Sequence, residues 1–199
     1  MARLRLGVLV SGNGTNLQAI LDATRAGRID ADVGVVISNQ PGAYALERAR
    51  SADVKAVSLP HKGFASREAF DVALAGELRR ERVEWVVLAG FMRLLTPGFL
   101  ASFPQRVINI HPSLLPAFPG THAIRDALAY GVRVTGCTVH LVDEGVDTGP
   151  ILDQHAVRVE DGDSEETLAE RMHRAEHELY VDVLARLAEG RLRLPAARG

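Results

Sequence analysis

Apolar residues along this chain follow two alternating rhythms, and their succession predicts an architecture. Leu6–Val10 is a continuous apolar run, the pattern of a strand buried on both faces of a parallel sheet. Ser11-Gly12-Asn13-Gly14-Thr15-Asn16 follows, and then Leu17, Ile20, Leu21 and Thr24 recur at helical spacing. Strand, glycine-rich turn and helix thus succeed one another. Val33–Ser38 reads as a second strand, Ser38-Asn39-Gln40-Pro41-Gly42 as a turn, and the region near Ala43–Arg50 as a helix. Val54–Leu59 is a third strand, and Ser66 is an N-cap candidate for a helix running to about Arg80. Trp85–Leu88 and Val107–Ile110 supply a fourth and a fifth strand. Strands alternating with helices predict an α/β fold, a doubly wound, Rossmann-like and mostly parallel sheet with right-handed crossovers.

After Gly120 the rhythm changes. A helix near Ala123–Tyr130 precedes a long alternating strand, Val134–Val142, with Cys137, Val139 and Leu141 on one face. The turn-rich segment Asp143-Glu144-Gly145-Val146-Asp147-Thr148-Gly149-Pro150 leads into another alternating strand, Ile151–Val159. Strands joined by a short loop pair antiparallel, so this half predicts an antiparallel C-terminal portion of a mixed sheet. A last helix is expected from Asp163, with Glu166 completing a capping box and Leu168, Met172, Ala175, Leu179 and Val183 facing the sheet. The tail from Leu192 is expected to be loosely ordered.

Composition narrows the class. The 199 residues fit a single domain, 1–199, large enough to fold without staples. A formal net charge of −2 offers no general attraction to nucleic acid, so a bound phosphate must be held by local geometry. Cys137 is the one cysteine, and no Cys/His spacing suggests a metal. The apolar run ending at Val10 is too short for a secretory core or a membrane span. The expectation is a soluble cytoplasmic protein with no metal, no nucleic-acid partner and no membrane partner.

Three places carry candidate chemistry. Gly12-Asn13-Gly14-Thr15-Asn16 lets the backbone approach a ligand, and the following helix presents unpaired amides to an anion. A full dinucleotide pattern would need glycine at Leu17, so a mononucleotide-like phosphate suits the turn better; an ordinary strand–helix turn is the alternative. Asn109 and His111 share one side of a strand at its carboxyl end, where ligands of open α/β sheets bind, and Pro112 biases His111 towards an extended backbone. An amide donor beside a proton carrier suits addition to a carbonyl. Asp147 would stabilise an imidazolium if the fold brought it to His111; otherwise it reads as a turn aspartate bonding its own backbone. His122 and His140 read as satisfied polar groups near the sheet. Phe91-Met92-Arg93-Leu94-Leu95 could line a pocket for a flat ring or be core. Glu176, at the edge of the last helix's apolar stripe, is within reach of Arg174 or solvent.

Ser11-Gly12-Asn13-Gly14-Thr15-Asn16-Leu17-Gln18-Ala19-Ile20, Asn109-Ile110-His111-Pro112-Ser113-Leu114-Leu115-Pro116 and Asp147-Thr148-Gly149-Pro150-Ile151 together resemble the phosphoribosylglycinamide formyltransferase family of purine biosynthesis, as does Ala89-Gly90-Phe91-Met92-Arg93. The resemblance runs from about Leu6 to the Glu176-His177 helix. It implies formyl transfer from 10-formyltetrahydrofolate, the co-substrate, to the amine of 5-phosphoribosylglycinamide. It divides the chain into a phosphate-binding half, about 1–105, and a catalytic and folate-binding half, about 106–190. Gly14, Thr15 and Asn16 would bind the substrate phosphate region, Gly12 and Asn13 would shape the turn, and Glu176 would contact the ribose. Met92, Arg93, Leu94 and Leu95 would form the folate pocket together with Asn109, and Arg67 would lie towards the folate tail. Asn109, His111 and Asp147 match the family's catalytic triplet. Threonine at position 15 stands where serine is frequent and keeps the hydroxyl.

Formyltetrahydrofolate hydrolase shares the catalytic motif but resembles this family with an added N-terminal regulatory domain, whereas the first strand here starts almost at Met1. Methionyl-tRNA formyltransferase would bring a further C-terminal domain and a basic surface. A nucleotide-binding module without catalysis would explain the glycine turn and leave Asn109, His111 and Asp147 unused. The oligomeric expectation is a monomer or homodimer.

Overall fold

The apolar runs become strands with small adjustments at their ends. The computed structural model describes residues 3–195. β1 spans Leu4–Val10, α1 Thr15–Arg25, β2 Ala31–Ser38, α2 Ala45–Ser51 and β3 Ala56–Ser58. α3 covers Arg67–Arg80, β4 Trp85–Leu88, α4 Pro97–Ser102 and β5 Val107–His111. α5 (Ala123–Tyr130), β6 (Val134–Leu141), β7 (Ile151–Arg158) and α6 (Glu165–Ala188) complete the order. No helix among the described residues is long and apolar enough to cross a membrane.

The strands form one seven-stranded sheet in the order β3-β2-β1-β4-β5-β6-β7. β1 pairs in parallel with β2 on one side and with β4 on the other. The chain therefore winds outwards through β2 and β3, returns to β4, and winds outwards the other way. β5–β6 and β6–β7 are antiparallel, so the mixed character expected of this half begins one strand earlier than the β6–β7 hairpin.

Period-two alternation divides the core. Val8, Val10 and Val36 face α1 and α6, meeting Leu17, Ile20, Met172 and Tyr180. Leu9, Val35 and Val86 face the opposite layer, meeting Phe70, Leu74 and Phe99 from α3 and α4. Each fully buried large apolar side chain contributes about 1.5–3 kcal/mol, so α6, with Leu168, Met172, Leu179, Val183 and Leu184 buried, is a principal clamp on the sheet. Tyr180 adds direction: its buried hydroxyl lies 2.9 Å from the Leu88 carbonyl and 3.1 Å from that of Ile108, tying α6 to β4 and β5.

Ser66 caps α3 as expected, its Oγ accepting from the Ala69 amide at 3.1 Å. The start of α6 is a correction. Ser164, not Asp163, is the N-cap, and Thr167 rather than Glu166 closes the capping box. The one-residue slip frees Asp163 to accept from the Glu160 amide and to pair with Arg171. α4 falls where the apolar pattern predicts no element; Thr96 caps it, Pro97 opens it, and burial of Phe99 holds it. β6 is buried on both faces, because the face opposite Cys137, Val139 and Leu141 lies beneath the loop that follows β5. The tail is non-helical from Leu192 to Pro195, and residues 196–199 lie outside the described residues.

Tyr180→Phe keeps the packing and removes only the hydroxyl. It is expected to lower stability by about 1–2 kcal/mol, read as a lower urea midpoint with an unchanged slope.

Candidate active site

The strand order reverses between β1 and β4, and the crevice outside the carboxyl ends of such strands is where open α/β sheets bind ligands. A cavity of about 300 Å³ opens there, lined by the Gly90–Leu95 segment, Asn109, His111, His140 and the Val142–Asp147 loop. Met92 and Leu94 are 71% and 52% exposed at its mouth, and Val146 is exposed beside them. Three large apolar side chains around one opening suit a flat apolar surface.

The side-chain constellation follows from strand register. Asn109 and His111 share a face of β5, and antiparallel pairing sets His140 opposite Asn109 and Thr138 opposite His111. Asn109 Nδ2 lies 3.3 Å from His140 Nε2, while His140 Nδ1 lies 2.8 Å from the Leu141 carbonyl. Thr138 donates to the Ser113 carbonyl at 2.6 Å and accepts from the Leu115 amide at 3.0 Å, fixing the loop just past His111. His111 is buried, with Nε2 2.9 Å from the Phe118 carbonyl.

Asp147 completes the group. Its Oδ2 lies 3.4 Å from His111 Nδ1 and accepts from the Gly120 amide at 2.8 Å; its Oδ1 lies 3.8 Å from His140 Nε2. The residue is held at φ 54°, a left-handed conformation that costs a non-glycine residue energy and marks a backbone fixed by its surroundings. Two features impose that turn. Asp143 Oδ1 accepts from the Gly145 amide and from Thr148 Oγ1, and Gly149 packs so closely on the Leu141 carbonyl that a Cβ there would collide with it. Burial pushes the His140 imidazole below its ordinary pKa, against the opposing influence of the Leu141 carbonyl and the Asp147 charge. An amide donor, two imidazoles and a carboxylate then meet in one cavity, a set able to stabilise an oxyanion and to move a proton.

The glycine turn lies outside the lining of this cavity but adjoins it. Gly14 at φ 79° enters α1, and a Cβ there would stand 2.6 Å from that of Ala45. Arg48 braces the turn, donating to the Asn13 carbonyl at 2.8 Å and to Asn13 Oδ1 at 2.9 Å. The start of α1 has no side-chain cap, so its first amides are free for an anion. Asn16 hydrogen-bonds to the carboxyl of Glu176, whose own pKa burial lifts to about 7. Asn16 Oδ1 is buried without a partner. Glu176 thus faces inward to α1 rather than pairing with Arg174 or solvent.

Ser11 joins the two places. Its amide donates to the Gly90 carbonyl at 3.0 Å, and its Oγ accepts from the Met92 amide at 2.8 Å while donating to Asn39 Oδ1 at 2.6 Å. Of the segment Met92–Leu95, Met92 and Leu94 reach the mouth, Leu95 is buried, and the Arg93 guanidinium stacks over the Phe70 ring at 5.2 Å. Arg67 is exposed on the first turn of α3, outside the cavity lining. Gly12 and Asn13 lie on the turn, and Thr15 opens α1. His122 is exposed. His140, read from the sequence as a satisfied polar group near the sheet, and Ser11, quoted only as part of the turn, both belong to the site. Alternation along β6 marks His140 as facing opposite Cys137, Val139 and Leu141, but only pairing with β5 sets it against Asn109.

A doubly wound sheet that gathers an amide, a carboxylate and imidazoles at its switch point is the framework of a group-transfer enzyme acting at a carbonyl. Comparison with known proteins defines the family. The formyl transferase family profile matches residues 4–184, and the chain belongs to that family. The phosphoribosylglycinamide formyltransferase of Mycobacterium tuberculosis is 50% identical over 187 residues, spanning 94% of this chain and 86% of that protein. The trifunctional purine biosynthetic protein adenosine-3 of Drosophila pseudoobscura pseudoobscura is 51% identical over 193 residues; the match covers 96% of this chain but only 14% of that protein. The crystal structure of glycinamide ribonucleotide transformylase 1 from Symbiobacterium toebii superposes with a TM-score of 0.96 at 53% identity, covering 99% of this chain and 93% of that one.

Glu176 carries a stability signature. Its folded pKa, about 7, lies above the ordinary glutamate value of 4.5, so folding favours the protonated form and this contribution fades as pH rises from 4.5 through 7. Glu176→Gln keeps the shape and removes the charge. Its melting temperature is expected to rise relative to wild type across pH 5 to 8, checked by paired thermal melts in the same buffers.

Proposed function

We propose that this protein transfers the formyl group of 10-formyltetrahydrofolate to the amine of 5-phosphoribosylglycinamide. The observation that carries the proposal is the Asp147 carboxylate set 3.4 Å from His111 Nδ1, beside Asn109 in one cavity. The two relatives and the solved structure described above are named for this activity or for the purine pathway it serves.

The residues divide the work by their chemistry. The free amides of Thr15 and Asn16, with Gly14 allowing close approach, hold the substrate phosphate despite a net charge of −2. Gly12 and Asn13 shape that turn, and Glu176 accepts from a ribose hydroxyl beside the unpartnered Asn16 Oδ1. The exposed Met92 and Leu94 cover a flat ring, with Arg93, Leu95 and Asn109 framing the pocket and Arg67 meeting the more distant tail.

The substrate amine attacks the formyl carbon, a C–N bond forms, and negative charge gathers on the formyl oxygen. Asn109 Nδ2 and a ring N–H of His111 donate to that oxygen. Nε2 is the His111 nitrogen turned away from Asp147, and the incoming oxygen competes with the Phe118 carbonyl for its hydrogen. The proton lost by the attacking amine reaches the leaving nitrogen through His111 and water held by Asp147, and the old C–N bond breaks. Asp147 orients the imidazole and stabilises its charged form.

Purified protein with 10-formyltetrahydrofolate, assayed with and without phosphoribosylglycinamide, tests the reading. Formyl transfer should depend on the amine. Cofactor turnover that ignores the amine would identify a hydrolase, and no turnover a binding module. His111→Ala and Asp147→Asn should each lower kcat by at least about a hundredfold while KM for both substrates stays near wild type. A His111→Ala enzyme of near-wild-type kcat would refute the assigned role.

A further inference from the structure

We propose that His140 is a positioning residue that sets which way the Asn109 amide points. The inference rests on the formyl-transfer reading of the cavity. Asn109 and His140 are direct cross-strand partners, so their side chains meet on one face by register. His140 Nδ1 lies 2.8 Å from the Leu141 carbonyl, which can only accept. A neutral ring therefore carries its hydrogen on Nδ1 and presents a bare acceptor at Nε2. Asn109 Nδ2 stands 3.3 Å from that acceptor. One amide hydrogen goes to His140, and the other is left for the cavity that Asn109 lines. A flipped amide would set Oδ1 against the Nε2 lone pair, two acceptors face to face. The neutral ring thus excludes the rotamer that would offer the oxyanion no donor.

Asp147 and Asp143 face His140 from the loop after β6, and His111 faces it from β5. Both carboxylates favour a charged ring, while burial and the nearby His111 oppose it. Protonation would place a hydrogen on Nε2, turn the Asn109 amide over and draw Asp147 Oδ1, 3.8 Å away, towards His140. The same event would remove one oxyanion donor and loosen the carboxylate that orients His111.

The test is a double-mutant cycle on the full-length enzyme. His140→Leu, which cannot accept a hydrogen bond, should lower kcat on the order of tenfold to a hundredfold, the range of a lost or misdirected oxyanion donor, with KM for both substrates little changed. In an Asn109→Ala background the same substitution should cost almost nothing further, because His140 acts through that amide. His140→Gln, whose carbonyl can accept where Nε2 did and cannot be protonated, should recover most of the loss and flatten the acid limb of the kcat profile. Losses that multiply in the double mutant, or a glutamine variant no better than leucine, would overturn the proposal. Nitrogen-15 spectra of histidine-labelled wild type give a readout independent of any variant's folding: His140 should be the Nδ1–H tautomer at neutral pH, and an Nε2–H tautomer would refute the inference. If the wild type transfers no formyl group, the functional reading fails by itself, while the tautomer still decides this proposal.

Discussion

The carboxylate of Asp147 is the contact on which the rest of the site depends. It lies beside three segments: His111 at the end of β5, His140 on the neighbouring β6, and the Gly120 amide in the loop between them. A largely buried carboxylate left without partners costs several kcal/mol, so the loop carrying Asp147 is stable in this position only while the Gly120 amide and the His111 ring stay beside it. The constraint works in both directions. The imidazole is oriented by the carboxylate, and the carboxylate is retained by the imidazole, the amide and a backbone turn held at positive φ.

This arrangement needs a place where several strand ends converge, and the winding of the sheet supplies it. Because β4 returns beside β1, the residues after both strands, Ser11 and Gly90, lie side by side and hydrogen-bond. The glycine turn and the Met92 segment then share one scaffold, with Ser11 Oγ reaching the Met92 amide. An uncapped helix start and a cavity with an apolar rim are thereby brought together. The antiparallel addition of β6 contributes what a parallel neighbour would not. Direct cross-strand pairing sets a second imidazole squarely against the amide of Asn109.

Local rules account for much of this. Period two places Asn109 and His111 on one face of β5, and they stay together in the structure. Ser66 caps α3 because a hydroxyl before a helix satisfies an otherwise free amide, a contact spanning three residues. The same kind of rule slipped at α6, where Ser164 with Thr167 competes with Asp163 with Glu166 one residue apart. Partners on either side of the cap hold the observed register: Arg171, two turns into the helix, and the Glu160 amide, three residues before, occupy the Asp163 carboxylate. α4 escaped the apolar pattern since six residues give too few turns for a period to show, and burial of Phe99 against α3 stabilises it.

The sequence by itself therefore determined the α/β alternation, the glycine turn, the amide–imidazole pair and the family they resemble. These depend on the chemistry of neighbouring residues and on the repeat of a helix or strand. Only the tertiary structure decided that Asp147 reaches His111, that His140 stands opposite Asn109, and that Glu176 turns inward to Asn16 instead of outward to Arg174. Each of those contacts joins residues far apart in the chain, and their distances follow from strand order, register and loop closure. No local pattern encodes such distances, because they exist only once the whole sheet has assembled.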